Sequence, residues 1–421
     1  MTPPERAAIG FGEFVALMAT LTALAAMSID TVLPALPAIG ASLAVERAND
    51  NQLVVSLFFL GFGVGQLFYG PLSDAAGRKP AAYVGLALFI AGSLLALLSR
   101  AFPVMLAARL LQGIGVAGPR TITLALIRDK FEGRAMARVM SLVMFVFILV
   151  PVVAPAIGQT ILGLSGWRGI FVVYLVIGLL ATVWFGVRQE ETLPSSRRIP
   201  FSAKRIAAAL REVVTNRRSI GFTIASGFVF GAFVGYLSSA QQILQQQYAL
   251  GARFPLYFAM LSIAIGGASF VNASLVLRLG MHALSTWSLR GICVVSVVFS
   301  VFAGASAGHP PLWSLMTYLM VSFFGIGLLF GNLNALAMQP LGHIAGTGAS
   351  VVGATSMLIS LAFGTWIGQS YNGTVLPLVI GFAALSGCAS LIAWWAESGV
   401  QRPQDVPMSA ADSETTEPAS P

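Results

Sequence analysis

Apolar positions along the chain come in runs of about 20 residues, parted by clusters of charge or by Gly and Pro. A helix of about 20 apolar residues crosses the roughly 30 Å hydrocarbon core of a bilayer, so each run predicts a transmembrane helix. Twelve are predicted, at approximately 14–38, 52–72, 80–99, 103–127, 138–163, 168–187, 219–244, 254–277, 284–306, 312–338, 346–370 and 374–396. The expected fold class is an all-α integral membrane protein. The longest polar connection, Arg188 to Arg218, divides the spans six and six. The expected organisation is therefore an N-terminal six-helix half (1–189), a basic linker (190–218), a C-terminal six-helix half (219–397) and a tail (398–421). That tail carries Pro, Ser and acids without periodicity and is expected to be disordered. In the linker, Phe201, Ile206, Leu210 and Val213 can share one side of a helix while Lys204, Arg205 and Arg211 reach lipid phosphates, as in an interfacial helix; a solvated basic linker is the other reading. The first run is too long for a signal peptide, and Asp30 stands close to its one small-residue cleavage candidate, "ALAA".

Composition agrees with the pattern: of 421 residues, 57% are hydrophobic and 10% charged, against about 25% charged in an average soluble protein. A net charge of +8 would suit nucleic acid, but the placement of the basic residues argues for a membrane orientation signal. With both termini cytoplasmic, the outside loops hold only Arg47, Arg100, Arg168 and Arg253, and Arg109, Arg120 and Arg290 fall within spans; the rest of the 24 Lys and Arg lie inside. The lipid bilayer is thus an expected partner, and nucleic acid is not. Cys293 and Cys388 lie in different apolar runs without CxxC spacing, and His282, His309 and His343 sit in loops or at span ends without an HExxH arrangement. No metal site, cofactor or catalytic constellation is expected. Nor does any repeated charged ring suggest a channel.

Polar residues within the spans carry the candidate chemistry. Of the sixteen acids, Asp30 alone lies mid-span, about 24 Å from Phe14 at helical rise. In the fourth run Arg109 lies about 8 Å deep and Arg120 about 16 Å further in, and their spacing puts both on one helix face, with Gln112 a turn from the former. A charge at the bilayer centre costs about 2.5–3.5 kcal/mol on insertion scales and usually faces a cavity or a partner. Snorkelling remains open for Arg109 and Arg290, near the two surfaces, and suits Arg120 poorly. Asp30 and Arg109 share a depth and can face each other, an arrangement suited to proton exchange because burial favours a neutral carboxyl and a nearby guanidinium a charged one. A structural ion pair is the alternative.

Pro34 and Pro37 are expected to break the outer end of the first span. Pro151, Pro155 and Gly158 recur on one side of the fifth, with Ala154 between, which permits close helix contact. In "GPLSDAAGRK", Gly70 and Gly77 permit a tight turn, and Asp74 and Arg78 supply opposite charges one helical turn apart. A degenerate copy, "ASLVLRLGMH", aligns Gly280 with Gly77 and points to two related halves with a central site. In the second half Gln241 and Gln242, on the seventh span, and Asn332 and Asn334, on the tenth, are candidate substrate-lining amides; tying helices together is the other reading.

"GQLFYGPLSDAAGRKP" resembles the signature loop of the major facilitator superfamily, "RLLQGIGVAG" its fourth-span motif, and "VPVVAPAIGQTIL" the fifth-span motif of its proton-driven exporters. Within it, "SIDTVLPALPAI", "GWRGIFVVYLVIG" and "PLGHIAGTGASVVGA" resemble the bicyclomycin/chloramphenicol resistance (Bcr/CflA) drug:proton antiporters. The resemblance implies two pseudo-symmetric six-helix bundles and a latch of Gly70, Asp74, Gly77 and Arg78, with Asp129 a further partner for Arg78. It also implies an interface sealed by Pro151, Pro155 and Gly158, where Gln159 stands in place of a common second glycine. The expected function is proton-coupled export of small, partly apolar drugs or metabolites across the cytoplasmic (inner) membrane. Asp30, Arg109, Gln112 and Arg120 would serve coupling or substrate. The expected partners are a small-molecule substrate and the proton, and the chain is expected to act as a monomer. A proton-coupled uptake symporter is the alternative, and the fifth-span motif argues for export.

Overall fold

The computed structural model describes residues 9–398. The tail assigned to 398–421, apart from Ser398, and the terminal residues Arg6 and Arg402 lie outside them. Among the described residues the chain is helical throughout and has no strand. Its helices are α1 (Phe11–Asp30), α2 (Leu36–Ser42), α3 (Leu53–Ala76), α4 (Arg78–Leu97), α5 (Phe102–Lys130), α6 (Gly133–Arg188), α7 (Ala203–Thr215), α8 (Arg217–Gln241), α9 (Phe254–Leu279), α10 (Met281–Ala305), α11 (Leu312–Met338), α12 (Ala345–Gln369) and α13 (Leu376–Glu397).

Ten helical segments among the described residues are long and apolar enough to cross a membrane. Two of them are of double length: Gly133–Arg188 has 56 residues and Leu312–Gln369 has 58. The sequence predicts two spans within each. In the structure a short non-helical break interrupts each of the two, between the spans the sequence predicts. The first bends at Gly166, whose φ of 72° suits a residue without a Cβ. The second bends at Leu341 within a 3₁₀ segment, Gln339–Ile344. The first predicted span is itself divided: α1 stops at Asp30, a 3₁₀ turn follows at Leu33–Ala35, and α2 continues to Ser42. Pro34 and Pro37 each open one of those short elements, where a missing N–H is tolerated.

Helices α1, α3, α4, α5 and α6 pack on one another, as do α8 to α13; α3 against α12 and α6 against α9 join the two groups. Small residues set the tightest of these approaches. A Cβ on Gly113 of α5 would overlap the Phe58 carbonyl of α3, and one on Gly115 would overlap the α4 backbone at Phe89. The hydrophobic effect does not drive helix association in lipid, so such close contact is a main source of packing energy. The turns after α3 and after α9 have matching geometry: Gly77 has φ 107° and ψ 162°, Gly280 has φ 77° and ψ 157°, and each precedes a helix. Helix α7 starts at Ser202, whose Oγ accepts from the Arg205 amide. It turns Ala209 and Val213 into the protein and leaves Phe201 and Leu210 exposed, so the apolar side read from the sequence is shared between protein and surroundings.

Candidate functional site: a cavity open at one end

A cavity of about 400 Å³ lies between the two groups of helices, at the end of the molecule that carries the Gly70–Arg78 turn. Helices α3 and α5 line one side with Gln66 and Arg120; α8, α11 and α12 line the other with Phe230, Phe330, Asn334 and Met357. The turn forms its mouth, with Asp74, Arg78, Arg128 and Asp129. Gly70 stands close against α12, where an added Cβ would come within 2.6 Å of Ser350 Oγ.

The mouth is held by a charged cluster. Arg78 donates to Asp74 Oδ1 at 2.6 Å and to Ser73 Oγ at 2.7 Å from Nη1, and to Asp129 Oδ2 at 2.9 Å from Nε. Two residues that the sequence reading did not single out complete it. The Glu191 carboxylate accepts from the backbone amides of Arg78 and Lys79, both at 3.0 Å, and so caps the first turn of α4. The Thr192 hydroxyl donates to Asp129 Oδ2 at 2.7 Å. A Cβ on Gly77 would meet Glu191 at 2.6 Å, so this glycine is required by its contact as well as by its φ. The available signal was a Glu-Thr pair just past a helix end facing a helix start, but the pairing joins positions more than a hundred residues apart.

At the opposite end amides close the gap between the two groups of helices. The Asn49 side chain donates to the carbonyls of Gln369 (3.0 Å) and Tyr371 (2.9 Å), and Gln242 donates to Asn49 Oδ1 at 2.8 Å. Gln52 donates to Gly368 O at 3.0 Å and also to Gln242 Oε1. Thr365 donates to Ser56 at 3.0 Å just below. Gln242 thus sits in this closure, while Gln241 faces a separate cleft beside Pro34, Pro37 and Gln159. Of the amides on α11, Asn334 reaches the cavity, whereas Asn332 donates to Asn272 Oδ1 at 2.8 Å inside its own group of helices.

Deep in the first group, Arg109 is fully buried and each of its nitrogens has an acceptor. Nε donates to Val54 O at 3.0 Å, Nη1 to Gln112 Oε1 at 2.7 Å and Nη2 to Ser28 O at 2.8 Å, while the guanidinium lies 4.6 Å from the centroid of Phe58. Gln112 passes the chain on, donating to Ser93 Oγ at 2.8 Å. The arginine therefore ties α1, α3 and α5 together through neutral acceptors. It comes within two residues of Asp30 along α1 but makes no ion pair with it. Asp30 is 5% exposed and makes no hydrogen bond or ion pair among the described residues. Tyr174 donates to Met27 O, three residues before Asp30 on α1, at 3.0 Å, and Tyr236 is buried without a hydrogen-bond partner among the described residues. Pro151, Pro155 and Gly158 lie along α6, and Gly158 presses on α1 where a Cβ would overlap the Thr31 carbonyl, next to Asp30. Arg120, on the same helix as Arg109, has a different environment: it reaches the cavity, and its guanidinium lies 5.2 Å from the centroid of Phe62 and 5.4 Å from that of Phe147.

Comparison with known proteins bears on the family and the fold. The chain is 30% identical over 381 residues to the uncharacterized MFS-type transporter YdgK of Bacillus subtilis, covering 90% of this chain and 92% of that protein. It is 27% identical over 387 residues to a bicyclomycin resistance protein homolog of Haemophilus influenzae, covering 88% and 92%. Its fold matches the crystal structure of a D-xylose-proton symporter with a TM-score of 0.70 over 91% of this chain and 98% of the other, at 15% identity. Residues 18–365 match the profile of the Major Facilitator Superfamily. The chain is therefore a multi-pass membrane transporter that belongs to the Major Facilitator Superfamily.

Proposed function

We propose that the protein exports small, partly apolar compounds across the cytoplasmic membrane in exchange for protons, alternating between states open to one side and to the other. The observation that carries this reading is the asymmetry of the two ends. The cavity opens beside the Arg78 cluster, and the amides of Asn49, Gln52 and Gln242 close the opposite end. With the basic loops on the cytoplasmic side, this is an inward-facing state and both termini are cytoplasmic. Two halves, 1–189 and 219–397, rock about the cavity, joined by the linker 190–218. The double-length segments support twelve crossings: 56 helical residues would run roughly 80 Å at 1.5 Å per residue, more than twice the hydrocarbon core.

In this cycle Asp30 carries the proton. Asp30 lies in the first span without a cationic partner or a hydrogen bond among the described residues, so no bond among them has to break for it to take up or release a proton. The bicyclomycin resistance relative favours export over uptake. The likeness to a symporter, at 15% identity, bears on fold alone. Cells producing the intact protein are expected to accumulate less of at least one compound from a drug panel that includes bicyclomycin, and a protonophore is expected to abolish the difference. Energy-dependent entry in place of extrusion would overturn the assignment.

The Arg78 cluster acts as the latch that this state must break and the next remake. Replacing Asp74 by Asn leaves Arg78 its bond to Asp129, so the fold is retained. Turnover is expected to fall several-fold while equilibrium binding of cargo is unchanged. Unaltered transport rates would count against the latch.

The amide closure makes a separate expectation. Gln52→Ala removes two hydrogen bonds that join the halves, together worth about 1–3 kcal/mol, and should bias the protein toward the outward-open state. In a background with Cys293 and Cys388 replaced by Ser, a Ser56→Cys probe should react with a membrane-impermeant maleimide about tenfold faster in the Gln52→Ala protein. Equal rates would show that these bonds do not hold the gate.

A further inference from the structure

Two arginines three turns apart on α5 are treated in opposite ways. Every nitrogen of Arg109 has an acceptor within 3.0 Å. Arg120 makes no hydrogen bond and no ion pair among the described residues, and its guanidinium is steadied only by the rings of Phe62 and Phe147. Five N–H donors in a planar fork are therefore uncommitted on the wall of the cavity. A guanidinium held in such a place without an acceptor is costly unless something supplies one.

The described residues do not. The acids lining the cavity are Asp74 and Asp129, and both are engaged by Arg78, at 2.6 and 2.9 Å. Arg128 lines the cavity too and likewise has no acid partner among the described residues. The remaining lining near Arg120 is neutral, with the amides of Gln66 and Asn334, and the rings of Phe230 and Phe330 stand 5.4 Å apart on the facing side. The wall thus offers unpaired positive charge, neutral hydrogen-bonding groups and an aromatic surface, in a volume of about 400 Å³, within the usual range for drug-sized ligands.

We propose that the cargo is an amphiphilic organic anion whose carboxylate, or an equivalent oxyanion, docks on the Arg120 guanidinium while its apolar body lies against Phe230 and Phe330. A planar oxyanion matches the bidentate fork, and organic cations are rejected by unpaired like charge. This rests on the reading that the cavity is the cargo site, and it narrows that reading to a charge class.

The test uses three probes of one shape and different charge: 2-naphthoate, 2-naphthamide and 2-naphthylmethylammonium. Equilibrium binding to the purified full-length protein is measured alongside pH-gradient-driven movement in proteoliposomes. The wild type is expected to bind naphthoate roughly 10- to 100-fold more tightly than the amide, the range for a charge-assisted hydrogen bond, and the ammonium most weakly. Arg120→Gln should remove the preference for acid over amide. Arg120→Lys, which keeps the charge and loses the fork, should retain part of it. Because Arg120 holds no neighbouring helix by hydrogen bonds, both variants should melt with the wild type; were the Gln variant to misfold, the Lys variant still decides the matter. Equal binding of the three probes by the wild type, binding of none, or an acid preference that survives in Arg120→Gln would overturn the proposal. Preferred pH-driven export of the ammonium would sink the anion site and leave the exporter standing. Arg120-dependent binding of naphthoate without pH-driven movement of any probe would do the reverse.

Discussion

Replacing Asp30 by Asn is expected to abolish pH-driven accumulation of cargo in inside-out vesicles while leaving cargo-for-cargo exchange intact. The substitution keeps the size and shape of the side chain and removes the ability to take up and release a proton. Among the described residues Asp30 makes no hydrogen bond or ion pair that the change would break, so no structural penalty is expected. Exchange needs only the rocking of the halves and a cavity that binds cargo, and neither passes through this carboxyl. In the proposed cycle, net movement against a gradient needs the proton to be carried inward on the return stroke, and that load is what Asn cannot hold. A ligand can shift a conformational equilibrium only by its difference in affinity for the two states, so a proton that binds nowhere drives nothing. Imposing a pH gradient on vesicles with and without preloaded cargo separates the two activities. Full pH-driven accumulation by the variant would move the coupling site elsewhere.

Arg109→Ala should have the largest effect on stability of any single substitution in the first group of helices. It strips acceptors at Ser28, Val54 and Gln112 of their donor at once and leaves a void beside Phe58. A hydrogen bond to a charged group is worth about 1.5–3 kcal/mol, so losing three removes a large part of the roughly 5–15 kcal/mol that holds a typical protein folded. Low yield and a strongly depressed unfolding temperature are the expected results. Lysine at this position reaches fewer acceptors and should rescue only part of the loss. The informative comparison is with Arg120→Gln, three turns away on the same helix, where no hydrogen bonds are lost and no melting shift is expected. Matching unfolding temperatures for Arg109→Ala and the wild type would dismiss Arg109 as a strut.

That pair of arginines also marks how far the sequence could be read. Length and apolarity located the membrane helices, because a bilayer imposes one thickness on all of them, and the prolines at 34 and 37 announced the division of the first span. The glycines at 77 and 280 announced two turns of like geometry, since only a residue without a Cβ takes that φ cheaply. Periodicity could put Arg109 and Arg120 on one face but could not say which would find carbonyl acceptors, because those belong to α1 and α3. The same holds for Asp30, which shares a depth with Arg109 and yet lies outside its reach. Gln242 was read as a candidate for the site and lies in the closure, bonded to Asn49 and Gln52 nearly two hundred residues away. The break between the fifth and sixth predicted spans was legible as well, since the gap from 163 to 168 contains Gly166, whose φ of 72° leaves helical geometry.

The closure at the Asn49 end has a consequence for where such a transporter can live. It is made of amides, hydroxyls and carbonyls, none of which titrates in the biological range and none of which bears a net charge for salt to screen. Brine or acid on that side of the membrane leaves the grip of those bonds as it was.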